Sequence, residues 1–138
     1  MGIKDFSRFP KVHILSNAEI KGALGRYNAV ENELFFNSDI INVKKFKEEM
    51  KLVPGKVSES RLATVVHELI HWQDAEKYIS RYGKITNSDD YINNISAQFE
   101  KKVDKILSKG YNIDSISSYA ERMYLQNRFD EVYTEYRT

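Results

Sequence analysis

The sequence predicts an α+β domain, with a small, mostly antiparallel sheet leading into a motif-bearing helix and two further long helices. Two observations carry this. Up to about residue 57 the apolar residues fall in short runs broken by Gly, Pro and Asn, whereas from Ser58 onward they recur at helical spacing. The chain of 138 residues, 41% of them hydrophobic, suffices for one modest core and contains no linker, repeat or low-complexity tract. Residues 1–138 therefore read as a single domain, with a strand and hairpin part over about 1–57 and a helical part over 58–138.

In chain order, Lys11–Leu15 (K-V-H-I-L) reads as an edge strand, because Pro10 precedes it and cannot donate to a ladder. Residues 24–37 (L-G-R-Y-N-A-V-E-N-E-L-F-F-N) read as a hairpin, with strands over 24–27 and 33–37 around a turn through 28–32. A short helix is expected over 44–52, closed by Pro54-Gly55. Leu62, Val65, Val66, Leu69, Ile70, Trp72, Ala75, Tyr78, Ile79 and Tyr82 then mark a long helix, with Ser58 or Ser60 as N-cap and Gly83 as its stop. Ile92, Ile95, Phe99, Val103 and Ile106 define one face of a second helix, about Ser88 to Ser108, ended by Gly110. A third helix is expected from near Asp114 to the end of the chain, with Ile116, Tyr119, Ala120, Met123, Val132, Tyr133 and Tyr136 on its core face.

Composition excludes several function classes. The 21 Lys and Arg against 20 Asp and Glu do not favour nucleic acid or an anionic membrane as the main partner. Without cysteine there is neither a disulfide frame nor a thiolate metal site, so any metal must be held by His, Asp or Glu. No apolar run reaches the ~20 residues that span a bilayer, and M-G-I-K-D-F-S-R-F-P lacks the apolar core of a signal peptide.

The chemistry concentrates in T-V-V-H-E-L-I-H-W-Q-D, residues 64–74. On a helix, His67 and His71 project from one face a turn apart and can converge on one ion. Glu68 sits roughly 100° around the helix, where it can take a proton from an activated water without being a ligand itself. A catalytic zinc needs a third protein ligand and an open position. His13 lies on a strand and reads as a packing residue, and Asp74 is awkwardly close to His71. Glu121, Tyr124, Arg128, Glu131 and Glu135 form one polar stripe along the expected last helix, which makes its acids the better source. Trp72 reads as a packing anchor.

H-E-L-I-H followed much later by E-V-Y-T-E-Y resembles the Glu-zincin metallopeptidases, the lethal-factor-like group among them. The resemblance implies that Glu131 is the third zinc ligand and that Glu135, one turn on, supports the site, with Tyr133 and Tyr136 standing where the family has Phe. I-S-S-Y-A is similar to the family's S-x-Y-A and carries Tyr119 as donor to the tetrahedral intermediate. Extra residues separate it from Glu131, which leaves Tyr124 as the other candidate for that role. The hairpin G-x-Y-N…N-E-L-F-F-N-S-D is similar to one in zincin-like domains at the carboxyl end of phage minor head proteins. It implies a substrate-pairing edge strand at Glu33–Asn37 and a setting in a larger phage protein or a toxin, while the absence of a signal-peptide core, a spanning run and cysteine leads to the expectation of a cytoplasmic or phage-particle location.

These readings combine into one expectation, a peptidase using one Zn2+ per chain. Its ligands are His67, His71 and Glu131, its base is Glu68, its oxyanion donor is Tyr119 or else Tyr124, and Glu135 or Asp74 orients an imidazole. Its partner is a peptide or protein, with no role for nucleic acid or membrane. Two rivals are a zincin-fold binding module of a phage particle with little turnover, and a metal-free helical partner-binding domain. Intact Glu68 argues against the first, since a purely structural zinc has no use for a base.

Overall fold

A computed structural model describes residues 8–40 and 61–138. The helix expected over 44–52, its Pro54-Gly55 stop and the N-cap at Ser58 or Ser60 lie outside the described residues. The fold is α+β, with, among the described residues, strands β1 (Lys11–Leu15), β2 (Gly25–Asn28) and β3 (Glu33–Asn37), a 3-10 turn at Ser38–Ile40, and five helices. These are α1 (Arg61–Tyr82), α2 (Ser88–Ser108), α3 (Ile113–Ile116), α4 (Ser118–Leu125) and α5 (Phe129–Arg137). No helix among the described residues is long and apolar enough to cross a membrane.

The sheet departs from expectation in two ways. Its order is β1-β3-β2, with β1 parallel to β3 and β2 antiparallel to it, so one of the two pairings is parallel. Glu33–Asn37 is therefore the central strand, and its backbone is engaged on both sides. It cannot take a further strand, which removes it as the substrate-pairing edge. The free edges among the described residues belong to β1 and β2. Side chains alternate across the pleat, so Leu34 and Phe36 face the helices. There they form a buried cluster with Ile40, against which Leu24, Val65 and Leu69 of the hairpin and α1 pack.

The second core lies between α1 and α2, where Ala75, Tyr91, Ile95 and Phe99 are buried together with Ala29 and Ile85. Trp72 and Val103 are fully buried, which makes Trp72 the packing anchor its sequence context predicts. Burying one such side chain contributes about 1.5–3 kcal/mol. Local chemistry sets the helix ends. Gly83 stops α1 at φ +90, and its N–H donates to the Ile79 carbonyl. Asn87 caps α2 by accepting from the Asp90 N–H, with Asp89 and Asp90 in the first turn favoured by the helix dipole.

The expected third long helix is three short ones. Ser117 is extended and its hydroxyl oxygen accepts from the Ala120 N–H, so it caps a new helix instead of continuing the old. Asn127 takes the left-handed conformation at φ +58 and ends α4. Buried Ser96 of α2 holds this second break open, donating to the Asn127 carbonyl at 2.8 Å and accepting from the Phe129 N–H at 2.9 Å. The break re-aims α5 so that Val132 and Thr134 are buried and its acids turn toward α1.

Candidate metal centre

The α1 helix presents His67 and His71 one turn apart, with ring centroids 4.8 Å apart and planes at 80°. Their Nε2 atoms are 3.1 Å from each other, and each is 3.1 Å from Oε2 of Glu131 on α5. The three form the one group of His and carboxylate side chains among the described residues that could hold a metal ion. Glu135 lies behind this triangle. Nδ1–H of His67 donates to Glu135 Oε2 at 2.9 Å, which leaves the Nε2 lone pair of the neutral ring aimed at the other two donors. With the Nε2 atoms of both rings unprotonated, three electron-pair donors converge on one point that can take a cation; otherwise a hydrogen on His71 Nε2, or a protonated imidazole, is shared with Glu131.

The donor set fits zinc. Bonds of about 2.0–2.2 Å at tetrahedral angles put donor atoms ~3.3–3.6 Å apart, only a few tenths of an ångström wider than the triangle. Two imidazoles and one carboxylate match the ligand preference of that ion.

The electrostatics are coherent with this arrangement. Burial alone would push His67 down, but its hydrogen bonds to Glu131 and Glu135 and the charge of Glu68 raise it to about 10. His71 is likewise raised, with burial outweighed by Glu131. Burial would raise Glu131, yet the two histidines hold it well below the usual carboxylate range. Glu68 is 7% exposed, and burial pushes its carboxyl up while the two histidines pull it down.

A pocket of about 240 Å³ opens beside the triangle, lined by His67, Glu68, His71 and Glu131 and by Gly25, Arg26 and Tyr27 of β2. Tyr119 also lines it, with its ring centroid 6.1 Å from that of His67, and burial raises its hydroxyl so that it stays a donor. Tyr124 does not line this pocket. It packs edge-on against Phe129, because the break at Asn127 takes α4 out of line with α5. The stripe read along a single helix is broken there too, and Glu121 is left exposed.

Asp74 also departs from expectation. It lines the pocket, but its carboxylate is in a bidentate pair with Arg137, at 3.0 and 2.7 Å, and it bonds neither imidazole. Of the two acids expected to orient an imidazole, Glu135 is the one that contacts a ring. His13 is half-buried, stacked on Phe35 and 3.3 Å from Glu33, as a packing residue should be.

Two contributors have no role assigned from the sequence, although Arg128 lies in the polar stripe along the expected last helix. Thr134 donates to the Asp130 carbonyl at 2.7 Å and stands 3.5 Å from His71 Nδ1, on the side opposite the triangle. Arg128 is clamped by buried Asp130 at 3.0 and 2.9 Å and reaches Oε1 of Glu131 at 3.4 Å, so only Oε2 faces the histidines. Thr134 lies three residues after Glu131 on the same turn, and that spacing was the available signal.

Comparison of the chain with protein-family models, curated proteins and solved structures finds no match. What the site can do must come from its own atoms.

Proposed function

We propose that this chain is a zinc-dependent peptidase, with His67, His71 and Glu131 holding the ion. The observation that carries the reading is the 3.1 Å triangle of donors beside a buried carboxylate, Glu68, in a pocket bordered by an open strand edge. Structural zinc sites are closed by four protein ligands, whereas three leave a position for water or substrate. When bound, the ion would acidify that water and polarise a carbonyl.

The chain's own residues do the rest. Glu68 accepts the water's proton and returns it to the leaving amine, and burial brings its basicity closer to that role. Tyr119 donates to the oxygen of the scissile carbonyl as negative charge develops there. Glu135 holds His67 in the tautomer that ligates, and Thr134 favours the same tautomer in His71.

A peptide is the substrate class best matched to β2. The Asn37 N–H donates to the Leu24 carbonyl, so in the alternating antiparallel pattern Arg26 and Asn28 face β3. The N–H and C=O groups of Gly25 and Tyr27 then point to the open edge, where an extended substrate backbone can pair with them. Gly25 also lets the strand approach Glu68, since a Cβ there would be 3.0 Å from Glu68 Cγ. The phage or toxin setting implied by the hairpin resemblance is part of the same proposal.

The test is Glu68→Gln. The variant should keep one zinc per chain and the wild-type fold while losing hydrolysis of an unfolded-protein or peptide library. Equal cleavage by both proteins would refute the assigned base. Zinc binding without cleavage by either would favour a binding module.

A further inference from the structure

A second concavity runs along the carboxyl-terminal half of α1, a groove of about 1150 Å³. Asp74 and Ile95 line both it and the metal pocket, so they form the wall between the two. The groove holds five cations against two carboxylates, a local charge of +3 in a chain whose net charge is +1. Both carboxylates are already engaged, Asp74 by Arg137 at 2.7 Å and Glu76 by Arg8 at 3.2 Å. Lys77, Arg81 and Lys102 have no acidic partner among the described residues.

The aromatic lining is as distinctive as the charge. Lys102 Nζ lies 5.3 Å from the Tyr133 ring centroid, and the Arg137 guanidinium lies 4.1 Å above the same ring. Tyr82 lies tilted against Tyr78, with ring centroids 4.8 Å apart, and is 57% exposed. Of the cations beside these rings, Arg137 is held by Asp74, while Lys102 has no acidic partner among the described residues.

We propose that this groove binds an acidic segment of polypeptide, with carboxylates on Lys77, Arg81 and Lys102 and an apolar or aromatic side chain against Tyr82. Lys77 and Arg81 are one helical turn apart, about 6 Å along the axis. Alternate side chains of an extended peptide are ~6.7 Å apart, a spacing these two long cations can follow. Nucleic acid is the weaker match. Non-specific binding draws on roughly 6–10 phosphate contacts, and three uncompensated cations beside two wall carboxylates fall short of that. The binding needs neither the metal ion nor Glu68, and so stands apart from the hydrolytic reading.

The test is fluorescence anisotropy on the whole chain, once with chelator and once with zinc. The probes are a labelled peptide with Glu at alternate positions and one Tyr, the same peptide with Gln for Glu, and a short oligothymidylate. The Glu peptide should bind equally in both metal states, and at least about tenfold more tightly than the Gln peptide, with affinity falling as salt rises. Reversing two exposed charges, Lys77→Glu with Arg81→Glu, should weaken it about tenfold. The neutral pair Lys77→Gln with Arg81→Gln should act in the same direction, and Lys109→Glu, exposed outside the groove, should have no effect. Equal binding of the Glu and Gln peptides would overturn the proposal. Tighter binding of the oligonucleotide, or double variants that behave like Lys109→Glu, would overturn it as well.

Discussion

A methyl group added at Gly25 would stand 3.0 Å from Glu68 Cγ, 3.0 Å from Thr64 Cγ2 and 3.3 Å from Phe36 Cδ1. Carbon atoms in contact prefer ~3.5–4.0 Å, so Gly25→Ala overpacks the seam between β2 and α1 on two sides. Overpacking a filled core costs about 1–3 kcal/mol. Restricting the unfolded chain at a glycine offsets ~0.4–1 kcal/mol of that. The net destabilisation should be about 1–2 kcal/mol. At ~2.1 cal/mol/K per residue, 138 residues have an unfolding entropy near 0.29 kcal/mol/K, which makes the Tm fall roughly 3–7 °C. Thermal unfolding of the zinc-free protein measures it. Thr64→Ser removes Cγ2 and should recover part of the loss, with a coupling of about 0.5 kcal/mol or more in the double-mutant cycle. Zinc stoichiometry should not change, because none of the three donors is touched, whereas cleavage should drop as Glu68 is displaced. A Gly25→Ala protein as stable as wild type and uncoupled from Thr64→Ser would refute the close seating of the strand on the helix.

Glu131→Ala should abolish zinc binding, whereas Glu135→Gln should weaken it only about 10–100-fold, as measured by competition with a chromogenic chelator. Comparable losses would mean the two acids share the first coordination sphere. Tyr119→Phe should retain zinc and lower turnover by about 10²–10³, while Tyr124→Phe should leave both unchanged; the reverse pattern would transfer the donor role to Tyr124. In the metal-free protein His67 is raised from 6.5 to about 10, so its contribution to stability is complete below about pH 6.5 and is lost as pH rises through about 10. Denaturant titrations with chelator present should show that decline, and a flat profile over this range would contradict the His67–Glu131–Glu135 contacts. Trp72→Ala, at a fully buried position, should cost about 3–5 kcal/mol, read from the denaturation midpoint.

The α+β class, the positions of β1 and β3, the limits of the Ser88–Ser108 helix and the His67-Glu68-His71 cluster were all legible in the sequence. Each is a local property, set by side-chain period, by caps such as Asn87, by the Gly83 and Gly110 stops, and by the fixed geometry of positions four apart on a helix. Tertiary structure decided the rest, because it depends on partners distant in sequence. Whether β3 lies at an edge is set by β1, more than fifteen residues earlier, arriving parallel to it. Where the last helix breaks depends on Ser96, whose hydroxyl satisfies the Asn127 carbonyl and the Phe129 N–H across 31 and 33 residues. That break brings Glu131 Oε2 into the triangle, sets Glu135 behind His67 and takes Tyr124 away from the pocket. Asp74 looked available on its own helix, and Arg137, 63 residues on, had already claimed it. Periodicity identifies the residues that share a face, but only packing between elements determines which of those faces meet.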